Sequence, residues 1–200
     1  MTGHRLDDED AKAPADARNA PEVIEKALFD ARVVMLTGEV NDIQARRVTE
    51  RLFALAAQNA QPITFVISSP GGHVESGDMI HDVIKFINAP VRMLGTGWVA
   101  SAGALIYCAV ERDHRFCLPN TRFLLHEPRG GVGGMASDVE IQAREILRMR
   151  ERLNRIFAES TGQPMDKIKR DIDRDYWMLA DEAKAYGLVG KIVKSQNELR

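Results

Sequence analysis

The sequence predicts a single α/β domain with right-handed crossovers. Short apolar runs alternate with segments of helical period, and 200 residues are enough for one core without disulfide or metal staples. Composition agrees: 44% apolar and 28% charged residues exclude a wholly disordered, collagen-like or coiled-coil chain.

Residues 1–20 are rich in Asp, Ala and Pro and read as a mobile tail, with order expected from near Val23 and one domain over 21–200. VVML (33–36) is a short buried strand closed by Gly38. Ile43, Val48, Leu52, Leu55 and Ala56 recur at helical spacing over 42–58. ITFVIS (63–68) is a second strand, broken by Ser69-Pro70-Gly71-Gly72. A helix through Met79, Ile80, Val83, Ile84 and Ile87 stops at Asn88-Ala89-Pro90, and VRML (91–94) is the third strand. A tight turn and a buried helix from about Ser101 follow, then RFCL and TRFLLH as strands. GGVGG (130–134) is a loop or strand, and a long amphipathic helix spans about 136–160. Two shorter helices and a last strand, LVGKIV (188–193), complete the chain.

Charge, cysteines and hydropathy narrow the function classes. Basic residues number 27 against 29 acidic ones, with no basic stripe, so no nucleic-acid partner is expected. Cys108 and Cys117 are not in CxxC spacing and read as small buried residues. No apolar signal segment opens the chain. Residues 93–110 carry no charge, but Gly95, Gly97 and Gly103 beside Thr96 and Ser101 make a buried strand–turn–helix the better reading than a membrane span. A cytoplasmic protein without a membrane partner is the expectation.

Four segments carry potential chemistry. Gly97-Trp98-Val99-Ala100-Ser101-Ala102-Gly103-Ala104 sets a serine at a helix start, where free N–H groups favour developing negative charge. It is not a GxSxG elbow, since Gly97 lies four positions ahead, and an N-cap serine is the simpler reading of this segment alone. Phe123-Leu124-Leu125-His126-Glu127-Pro128 ends a buried strand on a histidine, a general base or a surface residue. His4, His73, His81 and His114 look solvated, though His73 is close enough to Gly72 to line the same cleft. In the third segment, 170–178, a carboxylate before an apolar stretch could orient an imidazole or simply be solvated. The fourth, Ser69-Pro70-Gly71-Gly72, exposes backbone N–H groups suited to an oxyanion hole. Neither GxxxxGK[ST] nor GxGxxG is present to make it a phosphate cradle.

Together these segments resemble the ClpP family of self-compartmentalised serine peptidases. The matching text is ISSPGG, GxxASxGALI, RFCLPNTRFLLHEPRGG, ASDVEIQAREIL and RDIDRDYWMLADEAKAYGLVG, in order, across about 33–193. The resemblance implies an α/β ClpP/crotonase-like fold with repeated β-β-α units and a protruding handle helix, the handle covering about 127–160. It implies a serine endopeptidase in which Ser101 is the nucleophile, His126 the base and Asp175 its orienting residue, with Asp171 and Asp173 as competitors for the third role. The intervals of 25 and 49 residues between the three fit the family.

Backbone N–H groups of Gly71 and Ala102 match the family's oxyanion hole, Ala102 standing where the family often has methionine. Asp173 and Arg174 match a pair that links rings. The implied partners are polypeptide substrates, further copies of the chain in two stacked heptameric rings, and a Clp ATPase unfoldase. No metal or organic cofactor is implied. The sequence departs from the family in two places. PEVIEKALFDARVV lacks the family's Tyr-Asp-Ile-Tyr-Ser-Arg run, and Thr64 and Val66 replace frequent aromatics of the unfoldase pocket, while Phe116 and Leu118 match it. The alternatives are an acyl-CoA hydratase or hydrolase of the crotonase superfamily and a catalytically inactive ring subunit.

Overall fold

The computed structural model describes residues 15–199 except 130 and 132, with the backbone alone for 15–21. The elements run α1 (Ala15–Asp30), β1 (Val33–Thr37), α2 (Asp42–Gln58), β2 (Ile63–Ser69), α3 (Val74–Phe86), β3 (Val91–Ala100), α4 (Ala102–Tyr107), β4 (Arg115–Cys117) and β5 (Arg122–Leu125). They continue with α5 (Ala136–Thr161), α6 (Met165–Asp171), β6 (Tyr176–Leu179), α7 (Ala180–Tyr186) and β7 (Lys191–Ile192). The expected tail lies mostly outside the described residues. Its last part, 15–20, already belongs to α1, so helix precedes Val23; alanines at 15, 17 and 20 favour that extension.

The sheet runs β1-β2-β3-β4-β7, its neighbours parallel, with β5 pairing both β3 and β6. Ile63, Phe65 and Ile67 point alternately from β2 into the core, and Val34, Leu36 and Met93 join them from its neighbours. Asn41 caps α2 by accepting the Gln44 N–H at 3.0 Å. Each β-β-α unit is visible as a strand followed by a second extended piece before its helix. The Val40↔Gly72 bridge joins two such pieces, after β1 and β2; β3 supplies the third itself, and β4 is followed by β5.

β3 departs from the sequence reading. It does not turn at its glycines but runs on to Ala100, changing partner on the way. Met93–Gly95 pairs with β4, and Trp98–Ala100 with β5. Gly97, at φ +60, absorbs the bend, and the register against β2 slips between Ile67 and Ser69. β6 is the other addition: YWML pairs antiparallel with β5, and the Arg122 guanidinium sits 4.3 Å from the Trp177 ring centroid. The last strand is short, Lys191–Ile192.

Helix α5 packs through its C-terminal half, where Leu153, Asn154, Phe157 and Thr161 are buried. Ile141 and Leu147, in the other half, are 57% and 53% exposed. The described glycines of 130–134 form no strand. Among the described residues no helix is long and apolar enough to cross a membrane.

Candidate active site

Backbone register assembles the site. Ala100 pairs with Leu124 in the parallel β3–β5 ladder, so Ser101 follows directly, and its N–H donates to the Leu124 carbonyl at 2.9 Å. Leu125 pairs with Tyr176 in the antiparallel β5–β6 ladder. His126 and Asp175 are the next residues beyond the last pair of that ladder, and the Asp175 charge is among those that act on His126. Ser101, His126 and the Ser69–Gly72 turn thus lie at the C-terminal ends of β3, β5 and β2, the end at which α/β sheets bind ligands.

Ser101 occupies φ 55, ψ −122, one of two described non-glycine residues with positive φ. The strain throws its side chain out of the strand-to-helix turn. By conformation this is an elbow, although the GxSxG text is absent. Ser101 is the N-cap residue of α4 by position, but its hydroxyl makes no capping bond. Its carbonyl accepts from the Ala104 and Leu105 N–H groups at 2.9 and 3.1 Å, fixing the start of α4. The other end of α4 is held by Tyr107, whose hydroxyl donates to the Phe116 carbonyl at 2.8 Å.

The Ser69–Gly72 turn presses against this elbow. A Cβ on Gly71, itself at φ +94, would stand 2.5 Å from Ser101 Cβ, 2.8 Å from the Ala100 oxygen and 3.0 Å from the Ala102 nitrogen. Gly71 N–H donates to Ser69 Oγ at 3.1 Å and its carbonyl accepts from Val40 at 2.8 Å. Among the described residues the Gly72 and Ala102 N–H groups make no hydrogen bond. Gly71 was the donor expected from sequence; in this arrangement Gly72 is the amide of the turn left open, because Ser69 occupies its neighbour. Ala102 is the first residue of α4, so its free amide is that of any helix start.

An apolar pocket lies beside Ser101 and His126, lined by Val74, Ala102, Leu105, Pro128, Leu153 and Phe157. His126 is half-buried, and burial is the main influence holding its pKa below the ordinary imidazole value. The Arg129 cation acts in the same direction, while Asp175 and Glu127 oppose it. His126 Nδ1 is buried and has no hydrogen-bond partner. The Asp175 carboxylate accepts instead from the Arg129 guanidinium, a residue that sequence reasoning did not single out.

The competing carboxylates are elsewhere. Asp171 accepts from Lys167 Nζ at 2.5 Å and from the Tyr186 hydroxyl at 2.7 Å. Asp173 is exposed beside the exposed Arg174, whose guanidinium donates at 3.2 Å to the Asp173 carbonyl. His73 does not line the cleft: its Nδ1 meets Ser76 Oγ at 2.8 Å, and Asp42 and Glu75 flank it at 3.2 and 3.1 Å. His81, expected to be solvated, is buried on the inner face of α3; His114 is exposed, and His4 lies outside the described residues. His81 and Cys108 share a separate recess of about 450 Å³, but burial pushes the Cys108 thiol up, away from thiolate chemistry. Cys117, also buried, is pushed up to about 12. Of the two residues matched to an unfoldase pocket, Phe116 is buried and Leu118 half-buried; Thr64 and Val66, which depart from it, are half-buried.

Comparison with known proteins yields a consistent set. Residues 17–196 match the family model described as Clp protease. ATP-dependent Clp protease proteolytic subunit 2 of Gluconobacter oxydans is 57% identical, covering 100% of this chain and 94% of that protein. Proteolytic subunit 3 of Rhizobium etli is 60% identical, over 88% of this chain and 90% of that protein. Among solved structures, ClpP1 from Listeria monocytogenes is 47% identical with a TM-score of 0.81, covering 88% of this chain and 99% of that one.

Proposed function

The chain belongs to the Clp protease family and is an enzyme of the serine-endopeptidase class, and on that premise we propose that it cleaves unfolded polypeptides through Ser101, His126 and Asp175. The single observation carrying this reading is the register that brings the residue after β3, the residue after β5 and the residue before β6 to one end of the sheet. Ser101 Oγ attacks the peptide carbonyl, and His126 takes its proton and returns it to the leaving amine. Asp175 accepts the imidazole N–H when the two meet. The Ala102 amide and an amide of the Gly71-Gly72 turn stabilise the oxyanion. Water then hydrolyses the acyl-enzyme.

The particle is a homo-oligomer of two stacked heptameric rings. The exposed apolar residues on the free half of α5 support an assembly, since a single chain leaves them uncovered. Asp173 and Arg174 serve ring contact, and both are exposed in the single chain. An ATP-dependent unfoldase delivers the substrate; the relatives' names call their protease ATP-dependent. Charge reversal, Arg174→Glu, weakens ring pairing; sedimentation identical to that of the parent would count against this role.

Reaction with a fluorophosphonate probe, followed by peptide mapping, tests the chemistry. A label on Ser101 is expected. An unlabelled Ser101 together with binding of a CoA ester would replace the peptidase reading by the crotonase one.

The pH dependence follows from His126. A general base works when neutral, and its pKa lies below the usual 6.5 because of burial and then Arg129. The rate therefore holds on the acid side until pH falls below that ordinary value, and is lost only as His126 protonates. The acid limb of kcat/KM measures it; a midpoint above the ordinary value would contradict the arrangement.

A further inference from the structure

His126 and Asp175 lie just beyond the last pair of one ladder yet are unbonded. His126 Nδ1 is buried with no hydrogen-bond partner, and the carboxylate that would suit it is held by Arg129. A buried nitrogen without a partner is costly, so this arrangement persists only while something else keeps its partner occupied. Arg129 is three residues beyond His126 on the same segment leaving β5, within reach of the one acceptor that both groups want.

We propose that Arg129 is a positioning residue that holds Asp175 away from His126 and so keeps the resting triad open. The inference rests on the peptidase reading above. With Asp175 on Arg129, no carboxylate accepts the Nδ1–H; the Glu127 backbone is the hydrogen-bonding influence left on the ring, and it supplies no counter-charge for the protonated form. When Arg129 withdraws, the carboxylate turns to Nδ1–H, leaving Nε2 unprotonated to take the Ser101 proton. No other bond changes. The charged groups facing His126 are Glu127, Arg129 and Asp175. The Arg129 and Asp175 side chains are 70% and 43% exposed, so water screens the pair and the hold is reversible. The segment is also tied down on its other side. Glu127 N–H donates to the Ile172 carbonyl at 2.9 Å, keeping the His126 and Asp175 strands in step whether or not the latch is closed.

The test uses the full-length assembly as parent, Arg129→Gln, Arg129→Lys and the double variant Arg129→Gln/Asp175→Asn. Two quantities are measured across pH: the rate of fluorophosphonate labelling of Ser101, and the pKa of His126. The pKa comes from hydrogen–deuterium exchange at its imidazole carbon, read by peptide mass spectrometry. Arg129→Gln removes a repelling cation and frees Asp175, so the His126 pKa rises by about one pH unit or more. Labelling above that pKa accelerates about 100-fold, the lower end of what a correctly oriented base contributes. Lysine retains most of the parent behaviour. Adding Asp175→Asn removes most of the pKa rise, because the gain comes from the freed carboxylate rather than from loss of the cation alone.

Measurable but equal labelling rates in parent and Arg129→Gln overturn the proposal, as does a pKa rise that survives Asp175→Asn in full. Failure of every variant to label, with the pKa changes as expected, keeps the latch and removes the peptidase reading. The two failures are therefore distinguishable.

Discussion

Ser101→Ala leaves a folded, assembled particle whose peptide hydrolysis falls by about 10⁴-fold or more, the scale seen when a nucleophile is deleted from a serine–histidine–aspartate set. Stability is the part that does not change. What holds Ser101 in place is its backbone: the N–H to Leu124 at 2.9 Å, and the carbonyl accepting from Ala104 and Leu105. Alanine keeps all three and bears the same positive-φ strain at φ 55. The hydroxyl makes no cap bond, so its removal leaves no partner orphaned at the helix start. Hydrolysis of an unstructured peptide, with sedimentation in parallel, measures both halves. Activity near the parent value would remove Ser101 from the chemistry and favour a carboxylate-driven crotonase reaction. Loss of assembly as well would mean that the serine is structural.

Gly71→Ala disables the same serine from the other side, through packing. The new Cβ falls 2.5 Å from Ser101 Cβ and within 3.0 Å of main-chain atoms on either side of it. None of these is the end of a flexible side chain, so either the Ser69–Gly72 turn or the elbow must move. The position also has φ +94, unfavourable to any side chain. We expect a loss of roughly 2–4 kcal/mol in unfolding free energy, the range of overpacking combined with backbone strain. Fluorophosphonate labelling should fall by about 100-fold or more, as misplacement by about 1 Å is enough for that loss. Gly38→Ala is the matching control. Its φ is +85, yet nothing lies within 4 Å of an added Cβ. It carries the strain without the collision, so it costs roughly 1 kcal/mol and leaves labelling intact. Equal behaviour of the two variants would assign the Gly71 effect to φ alone and remove the close approach from the account.

Much of this architecture is legible in sequence because it is local. The apolar positions of α2 recur every three or four residues, and the helix runs over the predicted range, Asp42–Gln58. VVML and ITFVIS are short β-branched runs bounded by glycine and proline signals, and both are strands. The long period of α5 extends to Thr161, where Gly162 at φ +72 stops it. Segments whose state depends on a distant partner read less well. Glycines 95 and 97 signal a turn in sequence, yet β4 and β5 each claim one half of β3 and hold it extended across them. YWML has four residues and no alternating period, and it becomes a strand because β5 offers an edge. His81 is one polar residue on an apolar helix face, so its burial is decided by what packs on α3.

The site divides in the same way. Ser101 and His126 are conspicuous because each ends an apolar run, and the family resemblance pairs them with an aspartate. Sequence alone determined the α/β class and the order of most elements, and through the family resemblance it put forward Ser101, His126 and Asp175 as the candidate set, with Asp171 and Asp173 as competitors. Those properties depend on period, turn chemistry and motif, which are written within a few residues. Only tertiary structure decided that Asp175 faces His126 while Asp171 is bound by Lys167 and Tyr186. It also decided that Ser69 occupies the Gly71 amide and that Arg129 holds Asp175. Those choices are competitions for one acceptor or one donor, and the winner is set by strand register and by which groups the fold brings within hydrogen-bond reach.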